Sequence, residues 1–326
     1  MDAFLSDVLS GLRVVSLPLA TRFRGLTVRE TAVFEGPMGW TEFSPFVEYD
    51  DDEASRWLAA AYDFGWTAAP PGVRERIMVN ATMPAVAAAQ VPEILARFSG
   101  CRTVKVKVAE PGTTLADDVA RVAEVRRMLG AEGRIRIDAN GAWNVDEAEH
   151  AIRELSVFDL EYVEQPCAHT AELQELEGRI DYLDVPIAVD EGLRKALDPL
   201  GAARELPGRV VIVKAAPLGG IRSALAIATA SGRPAVVSSA LESSIGLSMG
   251  LHLAAALPEL DYDCGLGTAA LLAADVTDDP LLPENGAIEV RRVAPRPALL
   301  DAFAADAERT SWWRERITRC HALLQR

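Results

Sequence analysis

The chain has 326 residues, 49% hydrophobic and 25% charged, with a net charge of −15. That balance is typical of a globular protein with a sizeable core, and the acidity excludes a nucleic-acid binder, which needs a basic face to displace counterions. An anionic small-molecule substrate stays open, because a local cluster of Lys, Arg and metal can reverse the field inside one pocket.

The N-terminus carries acids at Asp2 and Asp7 and has no basic segment followed by an apolar run. No stretch is apolar enough to span a membrane, so neither a signal peptide nor membrane contact is expected. Cys101, Cys167, Cys264 and Cys320 are far apart and have no metal or redox spacing, which suits reduced thiols in a cytoplasmic protein. Residues from about Gly11 to Phe46 read as antiparallel strands, and a helix-like stretch follows from roughly Glu53 to Thr67. From about Arg74 to Leu266, strand-like runs alternate with amphipathic helical ones. The strand-like runs are RIMVNATM, CRTVKVKV, RIRIDAN, DLEYVEQP, PIAVDE, VVIVKAA, AVVSSAL and a short one near DCGLG. Repeated strand–helix units with short loops imply parallel strands, and eight of them imply an α/β fold of the (β/α)₈ barrel type. The tail after Asp275 is rich in Pro and acids and ends in a helix-like segment with Trp312 and Trp313. The expected organisation is an N-terminal α+β piece over 1–75, a barrel over 76–275 and a C-terminal segment over 276–326. No feature of the sequence sets an oligomeric state, and His150, His169, His252 and His321 are assigned no chemistry.

In such a barrel, polar residues at the C-terminal ends of the strands line the active site. Alternation in VKVKV puts Lys105 and Lys107 on one face and the valines on the other. Two ammonium groups inside a barrel are costly unless the site uses them. Their repulsion, with a nearby metal, would lower a lysine pKa toward that of a base. Taken alone, KxK more often marks a solvent-facing sheet edge with snorkelling lysines. RIRIDAN puts Arg136, Asp138 and Asn140 on one face. EYVEQP places Glu164 just before the Pro that ends the strand, and IAVDE ends in Asp190. Each acid alone reads as an ordinary helix cap or loop residue. Together, at equal intervals and on adjacent strand ends, three carboxylates would repel one another without a cation between them. Three oxygen donors with open positions suit Mg²⁺, with Mn²⁺ as the alternative. Lys214 follows four apolar residues in VVIVKAAPLGG, either ending a buried strand or emerging into solvent. SSALESS offers hydroxyls and backbone N–H groups at a helix start, either a natural carboxylate site or simple capping. These placements put Lys107 and Lys214 on opposite sides of the barrel, with the α-carbon of a carboxylate substrate between them.

The ordered set VKVKV, IDANGAW, EYVEQPC, VDEG, VIVKAAPLGG and VVSSALESSIGL resembles the enolase superfamily, muconate-lactonising subgroup, over nearly the whole chain. RFRGLTVRE, ESSIGL, and GLGT followed by LLAADV are most similar to members that dehydrate a succinyl hydroxycyclohexadiene carboxylate to o-succinylbenzoate in menaquinone biosynthesis. A lysine base working with Mg²⁺ is the known pattern of that superfamily. The resemblance implies a Mg²⁺-dependent hydro-lyase with a modified TIM barrel and an N-terminal capping domain completed by the C-terminal tail. It implies that Lys107 takes the α-proton and returns a proton to the departing hydroxide, a syn elimination. Lys214 would stabilise the enediolate as a cation, and Asp138, Glu164 and Asp190 would hold the metal. Lys105 and Arg136 would tune Lys107 and help hold the carboxylate. Asn140, Ser238, Ser239 and Gly265 would support the site or touch substrate, and the loop from Thr21 to Leu26 would close over it. The same two lysines serve N-acylamino-acid racemases and dipeptide epimerases, which are the alternative. Dipeptide epimerases carry Asp-x-Asp at the eighth strand to grip an ammonium; here Asp261 and Asp263 precede the GLGT turn, at the wrong end of the strand.

Overall fold

A computed structural model describes residues 3–325, so Asp2 lies outside it. The N-terminal part opens with helix α1 (Ala3–Gly11) and an antiparallel sheet of β1 (Arg13–Phe23), β2 (Leu26–Gly36) and β3 (Gly39–Phe43), in that order. Arg24 and Gly25 turn the β1–β2 hairpin with φ of 49° and 76°. A two-residue turn matched to strand twist needs positive φ at both positions, which Gly25 supplies without strain. Helix α2 (Asp51–Trp66) follows, its first turn capped by the Asp50 side chain accepting from Glu53 N.

After a short β4 (Arg76–Met78), the barrel strands are β5 (Ala81–Met83), β6 (Thr103–Lys107), β7 (Arg134–Asp138), β8 (Leu160–Glu164), β9 (Ile187–Val189), β10 (Val210–Val213) and β11 (Ala235–Val237). Strands β5 to β11 form one parallel sheet in sequential order. Helices alternate with them: α3 (Val91–Leu95), α4 (Leu115–Leu129), α5 (Val145–Ser156), α6 (Thr170–Ile180), α7 (Glu191–Arg194), α8 (Pro199–Glu205), α9 (Ile221–Ser231) and α10 (Ser244–Ala256). Capping boxes Thr114/Asp117 and Asn144/Glu147 start α4 and α5. The strands are buried on both faces, which is why they read as Val/Ile runs broken only by the residues facing inward.

Two details depart from eight plain strands. RIMVNATM is split: β4 pairs antiparallel with β12 (Ala287–Glu289), and only β5 joins the parallel sheet. The eighth strand is reduced to two bridges, Val79–Cys264 and Ser238–Gly265, which close the ring between its first and last members. The GLG sequence that follows supplies little side chain to extend a ladder.

The tail runs through α11 (Pro297–Ala302) to α12 (Ala307–Leu324), which packs against α2. Trp313 is fully buried, edge-on to Phe43 at 5.7 Å, and its indole N–H donates to Glu30 at 2.9 Å. The tail therefore completes the cap. Among the described residues no helix is long and apolar enough to cross a membrane.

Candidate active site

Parallel register sets Lys107, Asp138 and Glu164 side by side at the ends of β6, β7 and β8, with Asp190 just past β9 and Lys214 just past β10. Period-2 alternation turns Lys105 into the same interior. None of these six residues is more than 8% exposed. Lys105 Nζ donates to Asp138 Oδ2 at 2.9 Å and to Glu164 Oε1 at 2.8 Å. Lys107 Nζ donates to Asp138 Oδ2 and to Asn140 Oδ1, both at 2.5 Å, and Lys214 Nζ to Asp190 Oδ2 at 2.5 Å.

Burial opposes charge on all of them, and the neighbours decide the outcome. Asp138 would rise by burial, but the Lys105 and Lys107 ammoniums hold it far below the usual carboxylate range. Asp190 is likewise held at about 2 by Lys214 and Arg194. Glu164 is pushed up to about 7 by burial and then by the Asp138 charge, with Asp190 adding to it. Burial would lower Lys105, yet Asp138 and Glu164 raise it well above the ordinary lysine value. Lys107 goes the other way: burial lowers it, Lys105 adds repulsion, and Asp138 only partly offsets both.

Among the described residues no group of three or more His, Cys, Asp or Glu side chains is arranged to hold a metal ion as it stands. The donor set nonetheless fits a divalent cation. Glu164 Oε2, Asp190 Oδ1 and Glu191 Oε2 are buried oxygens without hydrogen bonds, and Asp190 Oδ1 has only the Arg194 guanidinium 3.2 Å away. Buried anionic oxygens left open are costly unless a cation takes them, and an all-oxygen set of hard donors suits Mg²⁺-type ions.

A cavity lies over the strand ends, between the barrel and the cap. Lys105, Lys107, Asn140 and Lys214 line it, as do Ser238, Ser239 and Gly265. The hairpin tip, within the Thr21–Leu26 loop, contributes Phe23 and Arg24, and the Phe23 ring lies 5.6 Å from Lys107 Nζ. Asn140 holds φ of 48°, and its amide joins Lys107 to Glu191.

Arg136 is placed differently from the expectation that it helps hold a substrate carboxylate. It is not among the cavity-lining residues. It sits lower in the barrel, fully buried, between the Tyr162 and Tyr262 rings, bonded to Glu161, Asn80 and Asp263 O. Two residues before the strand end is one layer down in the interior, and that layer is plugged with aromatic and aliphatic side chains. Asp263 lies at the floor too, accepting from Thr103 and Arg134 at the starts of β6 and β7. It is at the far end of the barrel from Lys107.

The helix start after SSALE also differs from the expectation of a substrate-carboxylate site. Its N–H groups are already taken by the protein's own acids: Glu42 from the cap accepts from Ser243 N and Gly246 N, and Asp275 accepts from Ser244 N.

Other contributors escaped the sequence reading. Gln165, beside Glu164, is fully buried with φ of 39°, and its Oε1 accepts from Asp190 N at 3.0 Å and Gly192 N at 3.1 Å, tying two acid-bearing strand ends together. Arg194, one helical turn after Asp190, stands 3.2 Å from that carboxylate and pairs with Glu191 at 2.8 Å. The i,i+4 spacing in DEGLR was a usable signal. Phe46, Tyr49 and Trp57 of the cap form an aromatic wall, and no local pattern points them at a barrel.

Comparison with known proteins agrees with this architecture. Residues 86–295 match the family described as enolase C-terminal domain-like, and residues 14–65 the one described as enolase N-terminal domain-like. The chain is 51% identical to an o-succinylbenzoate synthase of Mycolicibacterium smegmatis over 98% of each chain. It is 52% identical to one of Mycobacterium ulcerans over 99% of this chain and 97% of that one. Among solved structures, a muconate lactonizing enzyme of Pseudomonas fluorescens aligns with a TM-score of 0.76 at 19% identity, covering 90% of this chain and 98% of that one. An L-Ala-D/L-Glu epimerase of Bacillus subtilis aligns at 0.72 and 22%, covering 87% and 96%. At these identities the structural likenesses concern the fold alone.

Proposed function

Because the chain belongs to the family of o-succinylbenzoate synthases within the enolase-like proteins, we propose that it dehydrates a succinyl hydroxycyclohexadiene carboxylate to o-succinylbenzoate in menaquinone biosynthesis. The observation that carries the reading is the buried set of two lysines flanking three carboxylates beneath a pocket with an aromatic wall. Asp138, Glu164 and Asp190 would hold Mg²⁺, or Mn²⁺ in its place, and the cation would supply positive charge to the substrate carboxylate as the α-proton leaves.

The chain's own residues do the rest. Lys107 lines the pocket and burial lowers its proton affinity, which suits it to take the α-proton. Asn140 Oδ1 aims its nitrogen. Lys105, held fully charged between Asp138 and Glu164, keeps Lys107 from being protonated too tightly. Lys214, on the opposite side of the carboxylate-bearing strands, presents a cation to the charge that develops on the carboxylate. Loss of hydroxide from the neighbouring carbon forms the aromatic ring, and the proton on Lys107 goes to that hydroxide as water, returning the amine. The cap residues Phe23, Phe46 and Trp57 exclude water from this exchange.

The test is direct. The protein with Mg²⁺ and the cyclohexadiene carboxylate should show growing ultraviolet absorbance of the aromatic product, and chelation of the metal should stop it. Absence of product under metal saturation refutes the assignment.

A further inference from the structure

The Ser238–Leu241 loop after β11 forms one wall of the pocket, and side chains of the cap bond to it and to the helix start that follows. Arg29 on β2 is 2% exposed; its Nε donates to Leu241 O at 3.2 Å, its Nη2 to Ala240 O at 3.4 Å and also to Ser44 O. The guanidinium lies 4.3 Å from the centre of the Phe46 ring, another wall residue. Glu42 on β3 grips the helix that follows the loop: Ser243 Oγ and Gly246 N donate to its Oε2 at 2.5 and 3.1 Å, and Ser243 N to its Oε1 at 3.3 Å. Gly246 makes this approach feasible, since a Cβ there would stand 2.6 Å from Glu242 Cβ and 3.0 Å from Glu42 Cδ.

Between the two grips, Leu241 holds φ of 64°, a conformation a branched residue keeps only where its surroundings over-determine it. A cap that merely covered the barrel would need apolar contact alone. A buried guanidinium and a buried carboxylate directed at the main chain and helix start of a single loop are costly unless that loop must be held in one place. The wall itself contributes shape rather than charge: Ala240 and Leu241 are apolar, and Ser239 Oγ is tied to Gly265 O at 2.7 Å and to Thr268 at 2.8 Å.

We propose that Arg29 and Glu42 are positioning residues that set the Ser238–Leu241 wall, so that cap and barrel jointly fix how the substrate's carbon ring lies between Lys107 and Lys214. This rests on the reading of the pocket as the substrate site. Glu42→Gln and Arg29→Lys test it, with Glu30→Gln as control. Glu30 accepts bonds from Arg309 and Trp313 inside the cap and does not reach the loop.

Both test variants should raise KM for the cyclohexadiene carboxylate about tenfold while kcat stays within about threefold of wild type. Hydrogen exchange should accelerate over residues 238–246 and not elsewhere. The control should lower Tm with neither change. Unmoved exchange, unmoved KM, or equal changes in Glu30→Gln would overturn the proposal. Arg29→Lys keeps the charge and loses the fork, so it decides the matter if Glu42→Gln does not fold. If the wild type makes no aromatic product, the lyase reading fails, and the exchange comparison still decides on the positioning of the wall.

Discussion

Lys105 and Lys107 are two residues apart on one strand face, yet they sit in different fields. Lys105 lies between two carboxylates and is driven to permanent charge, whereas Lys107 shares Asp138 with it and bears both burial and repulsion. One strand thus carries two lysines whose proton affinities are pushed in opposite directions. Lys214 has a different task, because its partner Asp190 stays ionised and the ammonium faces the pocket. Replacing it, Lys214→Ala, should lower kcat by about 10²–10³-fold with circular dichroism unchanged; a rise in KM alone would make it a binding residue instead. Period-2 alternation and the charge at each strand end made this face legible in the sequence. Depth was not legible. Arg136 shares the face of Asp138 but sits a layer lower, among tyrosines, and alternation carries no information about which layer is the floor.

At the scale of elements, sequential parallel strands order the chemistry: β6 carries the lysines, β7 and β8 carry acids, Asp190 follows β9 and Lys214 follows β10. The cap is joined to this barrel through buried polar groups. Glu242, in the loop that Arg29 and Glu42 hold, is pushed up to about 6 by burial and then by the Glu42 charge, and its carboxylate accepts from Ala240 N at 2.6 Å. Folded Glu242 therefore binds its proton more tightly than the unfolded chain does. Its contribution to stability is complete below about pH 4.5 and is lost as pH rises through about 6, a change of about 2 kcal/mol. Thermal melts of wild type and Glu242→Gln from pH 4 to 7.5 should diverge over that interval, the wild type losing ground as pH rises; parallel curves would contradict this. None of this seam was readable beforehand. Glu42 and Ser243 are about 200 residues apart, and SSALESS alone read equally as a ligand site or a capped helix. What decided it was a carboxylate from another part of the chain reaching the helix start first.

As a whole, the molecule is an acidic protein with a buried cluster of lysines facing its pocket. The acidity faces solvent, and the lysines are balanced by the three acids they touch. A divalent cation on those acids should stabilise the fold by mass action, about 2.7 kcal/mol at a hundredfold excess over Kd. Mg²⁺ should therefore raise Tm by several degrees, and Asp190→Asn should abolish most of that rise; an undiminished rise would remove Asp190 from the ligand set. The barrel was legible because each strand–helix unit announces itself by a change of period. Closure by the Thr21–Leu26 loop was expected from the resemblance, but the aromatic wall of Phe46, Tyr49 and Trp57 was not legible, because cap and barrel meet only in three dimensions. The proposed chemistry turns on Lys107 removing the proton beside the carboxylate. The measurement that tests it most directly is kcat for formation of the aromatic product by Lys107→Ala, with Mg²⁺ binding and Tm confirmed intact. A loss of about 10⁴-fold is expected; turnover near the wild-type rate would contradict proton removal by Lys107.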